Sequence, residues 1–158
     1  MNFLGSPLSR VSLGTIKQEA GKLKIQNSHE WMTWFNSIYN LMPEDVHYIG
    51  ATGEPAFENS WANVGGGTDE PAGFYKDPFG RVYLIGLIDT GSTGTVAFTL
   101  PEGYRPEYDV RAVCDTVSGG GGSGGHSGVV ISAAGAVTVT MSGTSTDVSL
   151  SNISFRAT

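Results

Sequence analysis

The chain has 158 residues, of which 23 are glycine, and only 15% of the residues are charged. Long solvent-facing helices need many Glu, Lys and Arg side chains, so this composition disfavours a mostly helical enzyme and favours short strands joined by tight turns. The net charge is −6, and residues 43–158 carry thirteen acidic but only five basic groups, which disfavours nucleic-acid binding by this part of the chain.

Residues 1–43 are predicted to form an attachment and oligomerisation region. Residues 1–12 show no hydrophobic period and are expected to form an extended arm. Apolar and polar residues then alternate on both sides of Ala20-Gly21, which predicts a two-stranded hairpin. We expect this region to bind sister subunits or other structural proteins.

A helix is predicted over residues 28–42, and Pro43 ends it because proline cannot donate into the last turn. Four large apolar residues share one face of this helix: Trp31, Trp34, Phe35 and Ile38. One short helix cannot bury them alone, so this stripe is predicted to pack either on the rest of its own chain or on copies of itself. As an oligomer interface it would join copies of the chain.

Residues 44–158 are predicted to form a mainly β domain, an antiparallel β-sandwich or jelly-roll-like knob. A bend or bulge is expected near Ser151-Asn152, where the alternation of apolar residues changes phase. The segment 81–89 is apolar almost throughout, which predicts a central strand covered on both faces. The predicted strands are 46–49, 73–76, 81–89, 95–100, 108–117, 128–131, 136–141 and 147–155.

The segment 118–128 holds seven glycines in eleven residues. A phosphate-binding loop of the Walker type would need a lysine and a following helix, and both are missing from the pattern. We therefore expect a long flexible hairpin loop.

No catalytic, cofactor or metal motif stands out. Cys114, the only cysteine, lies in an apolar run and is predicted to be a buried, inert thiol. Its pairing with His126 or His47 as a nucleophile is disfavoured, because His126 lies in the glycine segment. The three histidines do not have metal-ligand spacing, so no cofactor is predicted.

Aromatic and acidic residues are mixed in the loop-rich segment 54–77, a combination that suits sugar binding because rings stack on pyranose faces and carboxylates accept hydroxyl protons. The alternative is that the rings of Phe57 and Trp61 fill the core beneath a loop. Carboxylate pairs for glycoside hydrolysis can be drawn from the same segment, but no pair is singled out. The predicted glycan-binding residues are Phe57, Glu58, Trp61, Asp69 and Tyr75.

Several strings in residues 55–158 resemble the terminal domain of bacteriophage fibre and tail-tip proteins. The strongest are GFYKDPFGRVYLIGLI at 73–88 and FTLPEGYRP at 98–106, and weaker ones are WANVG at 61–65, GAVTV at 135–139 and LSNISF at 150–155. The resemblance implies a virion structural protein, usually a homotrimer, whose loops meet a glycan or protein of the host surface.

The corner 101–106 can also be interpreted physically. Pro101 and Pro106 each fix a φ angle, Gly103 permits a positive φ, and Tyr104 is expected to tuck its ring under the turn with its hydroxyl on the backbone. This pattern indicates a structural role rather than a catalytic one.

The sequence therefore predicts a phage structural protein of the tail-fibre or tail-tip type that adheres to a neutral host-surface glycan without covalent chemistry. Two alternatives stay open: a capsid or tail decoration protein (a head fibre) without a receptor, and a free carbohydrate-binding or glycan-cleaving module. No secretion signal and no membrane span are visible, so we expect synthesis in the host cytoplasm and no membrane insertion.

Overall fold

The computed structural model of the chain describes residues 15–19, 22–26, 29–39, 41–65, 67–118, 122–141 and 147–158. The chain divides into two compact units, Met1–Met42 and Pro43–Thr158, here called the N-terminal unit and the β domain. The predicted arm 1–12 and the predicted turn Ala20-Gly21 lie outside the described residues.

The N-terminal unit contains a hairpin and one helix. Strands β1 (Thr15–Glu19) and β2 (Lys22–Gln26) pair antiparallel, as their alternating residues predict. Helix α1 (His29–Tyr39) ends before the predicted residue 42. The N–H of Met42 donates instead to the carbonyl of Tyr39 at 3.1 Å, a tighter three-residue spacing, because a residue that precedes proline avoids the α conformation. Within the described residues, no helix combines the length and the apolar character that a bilayer crossing requires.

The β domain consists of short strands. In chain order they are β3 (His47–Tyr48), β4 (Ala62–Asn63), β5 (Gly73–Lys76), β6 (Arg81–Ile85), β7 (Leu87–Asp89), β8 (Thr95–Thr99), β9 (Val110–Ser118), β10 (Gly122–Ile131), β11 (Ala136–Met141), β12 (Asp147–Ser149) and β13 (Ser154–Arg156).

Two antiparallel sheets share one core. The seven-stranded sheet has the order β4-β7-β12-β9-β10-β11-β8, and the four-stranded sheet has the order β13-β6-β5-β3. Buried side chains of both sheets form a single hydrophobic cluster, whose largest fully buried members include Phe74, Phe98, Leu84 and Ile88. Successive strand residues point to opposite faces, so each sheet has one buried inner face and one outer face. The predicted mainly β, sandwich-like fold is confirmed.

The prediction of one continuous strand over 81–89 is wrong. Gly86, with φ +92°, separates β6 from β7, and the chain passes there from the four-stranded to the seven-stranded sheet. A Cβ atom on Gly86 would lie 2.3 Å from the carbonyl oxygen of Pro71, so only glycine fits. Each half of the segment buries one face, through Val82 and Leu84 in β6 and Ile88 in β7. The run looked buried on both faces because the outer residues Tyr83, Ile85 and Leu87 are apolar as well.

The predicted bend at Ser151-Asn152 is a second crossing between the sheets. The turn is closed by the N–H of Ile153, which donates to the carbonyl of Leu150 at 3.0 Å. It joins β12 in the seven-stranded sheet to β13 in the four-stranded sheet. The two crossings lie side by side, because the N–H of Leu150 donates to the carbonyl of Gly86 at 2.9 Å.

The expectation of a flexible loop over 118–128 is wrong for most of that segment. Strand β9 continues to Ser118 and β10 starts at Gly122, with a bulge between Ser123 and Gly125. Residues 119–121 lie outside the described part of the chain. A glycine still supplies one backbone N–H donor and one C=O acceptor. The glycine-rich segment can therefore hydrogen-bond as a strand beside β9.

Candidate functional site

Phe57 and Glu58 lie along the edge strand β8. The Phe57 ring meets Phe98 edge-on with centroids 6.4 Å apart. The Glu58 N–H donates to the carbonyl of Ala97 at 2.8 Å, and its carboxylate accepts the hydroxyl of Thr99 at 2.9 Å. Phe57 therefore packs against the core, whereas the Glu58 side chain is exposed and covers an otherwise unpaired strand edge.

Trp61 is only 2% exposed, and its indole N–H donates to the hydroxyl of Thr95 at 3.1 Å. A Cβ atom on Gly91 would lie 1.9 Å from the indole ring, so the ring rests directly on that glycine. Trp61 has no free ring face for a sugar and fills the core, as the alternative interpretation has it. Asp69 is exposed, and Tyr75 is half-buried on the four-stranded sheet.

A polar cluster lies beneath the corner 101–106. The Nδ1 atom of His47 lies 2.8 Å from Glu54 Oε1, and its Nε2 atom lies 3.1 Å from the hydroxyl of Tyr104. The Nδ1 atom must donate, because a carboxylate can only accept, and in the neutral ring Nε2 then accepts from the tyrosine. The expectation that the Tyr104 hydroxyl binds the backbone is therefore wrong.

This cluster holds the corner in place. The His47 ring stacks on Phe74 with centroids 5.1 Å apart, and the ammonium of Lys76 lies 4.6 Å from the centre of the Tyr104 ring. Burial raises the pKa of Tyr104 to about 12, and the carboxylate of Glu44 acts in the same direction. A nucleophilic tyrosine would need a lowered pKa, so the cluster is built for packing.

Cys114 and His126 lie on opposite faces of the seven-stranded sheet. Cys114 is buried, and burial raises the pKa of its thiol to about 11, whereas His126 is exposed. The two cannot form a nucleophile and base. In the described part of the chain, no cluster of His, Cys, Asp and Glu is suited to hold a metal ion.

The outer face of the four-stranded sheet is rich in aromatic and cationic side chains. Phe74, Val82, Leu84 and Phe155 point inward and are buried, so their neighbours along each strand point outward. We call this surface the tyrosine face, and it consists of Tyr48, Tyr75, Arg81, Tyr83, Ile85, Ser154 and Arg156.

Two tyrosines form the centre of this face. Tyr75 lies directly opposite Tyr83 in the strand register, and their rings stack with centroids 5.1 Å apart and planes 12° apart. Tyr48 lies over Gly73, where a Cβ atom would come within 3.3 Å of its ring. The glycine thus leaves room for a third ring on the same surface.

The turn between β5 and β6 presents a fourth ring. One carboxylate oxygen of Asp77 accepts the N–H groups of Phe79 and Arg81, both at 2.9 Å, and the other accepts the hydroxyl of Tyr83 at 3.3 Å. These bonds, with that of the Arg81 N–H first, lower the pKa of Asp77. They fix the turn and leave the Phe79 side chain 63% exposed.

Two clefts border Arg156. One, of about 290 Å³, is lined by Asp77, Phe79, Arg81 and Arg156. The other, of about 430 Å³, lies between the loop 106–110 and strand β13, and holds Tyr108, which is 74% exposed. Of the predicted glycan-binding residues, only Tyr75 lies on the tyrosine face. Sequence reasoning missed the rest because it took 81–89 as covered on both sides; alternation within 81–85 alone would have placed Arg81 and Tyr83 outside.

Comparison with protein-family models finds no match, and comparison with curated proteins finds none. Among solved structures, the receptor binding protein (gp15) of Listeria phage PSA is similar with a TM-score of 0.62 and 13% sequence identity, covering 82% of this chain and 74% of that chain. The likeness shows a shared fold.

Proposed function

We propose that the protein is a phage virion component whose β domain binds a receptor on the host surface without catalysing a reaction. The fold shared with a phage receptor binding protein supports this proposal, as do the strings at 73–88 and 98–106 that resemble phage fibre domains. The raised pKa values of Tyr104 and Cys114 make both groups poor nucleophiles at neutral pH.

The receptor contact is proposed to be the tyrosine face, and the receptor a glycan. Tyrosine and arginine are the side chains that binding surfaces enrich, because they give large contact areas at low entropic cost. The stacked pair Tyr75 and Tyr83 offers flat apolar faces for the C–H groups of sugars beside hydroxyls that donate and accept. The observation that carries the proposal is this outward-facing aromatic sheet surface, on which Tyr75 and Tyr83 are half-buried and Tyr48 and Phe79 are exposed. Phe57, Glu58 and Asp69 stay predicted contacts that only binding data can test.

Adhesion of the labelled, purified protein to a panel of bacterial strains that includes Listeria tests the proposal. We expect the wild type to adhere to at least one strain, and Tyr75→Ala and Tyr83→Ala to weaken adhesion at least about tenfold, as loss of a binding hot spot does. Val113→Ala is the matched control, because Val113 is 72% exposed on the outer face of the other sheet.

Melting temperatures separate loss of binding from loss of folding. If every variant is folded and the wild type adheres to no strain and to no purified surface glycan, receptor binding is wrong and decoration of the particle takes its place. If Val113→Ala weakens adhesion and the tyrosine variants do not, the receptor contact lies on the seven-stranded sheet.

The N-terminal unit is proposed to join the subunits of a homotrimer and to attach them to other virion proteins. Helix α1 contains the stripe Trp31, Trp34, Phe35 and Ile38, and Phe35 and Ile38 are exposed in the single chain. Burying each such side chain is worth ~1.5–3 kcal/mol. Light scattering should give three times the chain mass of 16.6 kDa. Ile38→Lys should reduce it, whereas Asn36→Lys, on the exposed opposite side of the helix, should not.

A further inference from the structure

Two arginines lie side by side on adjacent strands of the four-stranded sheet. In the antiparallel register of β13 and β6, Arg156 lies directly opposite Arg81, and both side chains are exposed. Like charges in directly opposite positions destabilise a sheet. The pair therefore costs stability in the isolated domain, and edge protection of β13 by a charged side chain does not require the second arginine opposite it.

The neighbouring groups offset only part of the charge of this arginine pair: the charge of Arg81 helps to lower the pKa of Asp77, but one carboxylate balances at most one of the two positive charges. Arg81 donates to the hydroxyl of Ser154 at 3.0 Å, which is an uncharged partner. Both oxygens of Asp77, the acidic residue of the cleft, already accept hydrogen bonds from its own turn and from Tyr83. Throughout the described ranges, the Arg156 guanidinium has neither a hydrogen bond nor an ion pair within 4.0 Å.

The position of the pair is unusual for so acidic a domain. Residues 43–158 hold thirteen acidic and five basic side chains. The ammonium of Lys76 lies over the Tyr104 ring, and Arg105 donates to the carbonyl of Leu100 at 2.8 Å. Of the three remaining cations, two meet at one cleft of about 290 Å³ beside the exposed Phe79 ring.

We infer that the arginine pair binds an anionic group, a phosphate or a carboxylate, carried by the glycan receptor. This inference rests on the proposed function and deepens it, because it replaces the neutral sugar expected from the net charge with an anionic one. Guanidinium groups bind such oxyanions through paired, charge-assisted hydrogen bonds. Repulsion from distant carboxylates is screened over ~8 Å at physiological salt, so the two arginines and the single Asp77 carboxylate of the cleft decide which ligand binds.

Titration with small probes tests the site directly. Glycerol 1-phosphate and galacturonate are compared with their neutral counterparts, glycerol and galactose, by following the amide resonances of the protein. We expect only the anionic probes to shift the amides near Arg81 and Arg156, with weaker binding as salt rises. The two anionic probes also show whether phosphate or carboxylate is preferred.

Variants identify the side chains involved. Arg156→Gln and Arg81→Gln should each weaken binding of the anionic probe about tenfold or more, the size expected for a lost charge-assisted bond. Arg111→Gln is the matched control, since Arg111 is an exposed cation on β9 of the other sheet. Equal binding of neutral and anionic probes, or equal weakening by Arg111→Gln, would overturn the inference.

A second measurement separates ligand binding from a structural role. If the pair exists for an anion, Arg156→Gln should leave the melting temperature of the ligand-free protein unchanged or raised, because it removes a repulsion. A clear fall in melting temperature would mean that Arg156 stabilises the fold and would contradict the inference.

Cell adhesion of the same variants shows whether a failed test refutes the anionic receptor or receptor binding as a whole. Wild-type adhesion that both arginine variants retain in full would refute the anionic receptor while receptor binding stands. Arginine-dependent binding of the probe by a protein that adheres to no strain would refute receptor binding and leave the anion site standing. Loss of both adhesion and probe binding in Arg156→Gln, but not in Arg111→Gln, supports both.

Discussion

The two sheets of the β domain bury their inner faces in the same manner, but their outer faces carry different side chains. On the four-stranded sheet the outer residues are tyrosines and arginines, with Tyr75 stacked on Tyr83 and Arg156 opposite Arg81. On the seven-stranded sheet the central outer residues are mostly small or β-branched, namely Val113, Gly128, Val130, Thr138 and Thr140, with Arg111, Asp115 and His126 as exposed polar residues beside them.

Strand formation does not explain this difference. Tyr, Thr and Val all have high β propensity, so either set would build a sheet over the same inner face. Stability argues against the arginine pair and against the exposed ring of Phe79. Stacked tyrosines and directly opposed arginines, which the fold does not need and which share one outer face, indicate binding. The smoother face indicates either solvent exposure or contact with another copy of the chain.

The largest expected effect on stability comes from truncating a side chain that is buried in the core. Trp61→Ala should lower the free energy of unfolding by ~3–5 kcal/mol, because it empties the space of a buried indole. Phe79→Ala should change it by no more than ~0.5 kcal/mol, since that ring is on the outside. Chemical denaturation measures both. Similar losses in the two variants would break the distinction between inner and outer aromatic residues.

Gly86→Ala should disturb both sheets at once. The φ of +92° strains any other residue, and the new Cβ atom would lie 2.3 Å from the carbonyl oxygen of Pro71. We expect a loss of about 3 kcal/mol or more in the free energy of unfolding. Gly94→Ala is the control: its φ is +77° but its Cβ atom would meet open space, so only the smaller conformational cost of about 1–2 kcal/mol applies. Equal losses would show that the crossing tolerates the clash.

Sequence patterns correctly predicted the elements whose limits depend on residues close together in the chain. Strands β5 and β11 have the predicted limits because alternation and flanking turns define them within a few residues. The bend at Ser151-Asn152 was visible because the apolar phase changes there. Trp61 could be assigned to neither core nor surface from the sequence, since a ring in a loop-rich segment suits both until its neighbours Gly91 and Thr95 are known.

Contacts between distant segments could not be predicted. The bond between His47 and Tyr104 joins residues 57 positions apart, and the arginine pair depends on the register between β6 and β13, which are far apart in the sequence. The glycine segment misled for another reason: its own propensity favours a loop, but pairing with β9 outweighs that propensity. The candidate site therefore emerged from strand pairing, and only Tyr75 was named in advance.

Gly128→Thr tests whether the outer face of the seven-stranded sheet is a free surface. A Cβ atom there would meet only the carbonyl oxygen of Thr140, at 4.0 Å, so a β-branched residue fits. Replacing a strand glycine should raise the free energy of unfolding by about 0.5–1 kcal/mol, with the assembly mass unchanged. If the mass falls in light scattering, copies of the chain pack on this face and the smooth surface is an interface.

The smallest expected effect concerns the turn that presents the tyrosine face. The folded-state pKa of Asp77 is lowered from 3.8, so its carboxylate stabilises the fold fully above that value and loses the contribution as pH falls through the folded pKa. Asp77→Asn should therefore melt slightly below the wild type at neutral pH. The gap should close in acid below the folded pKa, when the wild-type carboxyl is protonated and accepts hydrogen bonds no better than the amide.

The control for this variant is Asp69→Asn, an exposed carboxylate at a distance from the turn in the sequence, which should show no comparable gap at neutral pH. Melting curves between about pH 7 and the acid limit of reversible folding measure both variants. If the gap for Asp77→Asn persists in acid, the turn is held by the geometry of the side chain and not by its charge. The tyrosine face would then keep its shape when Asp77 is neutral, so an anion bound at the arginine pair would meet less repulsion in acid.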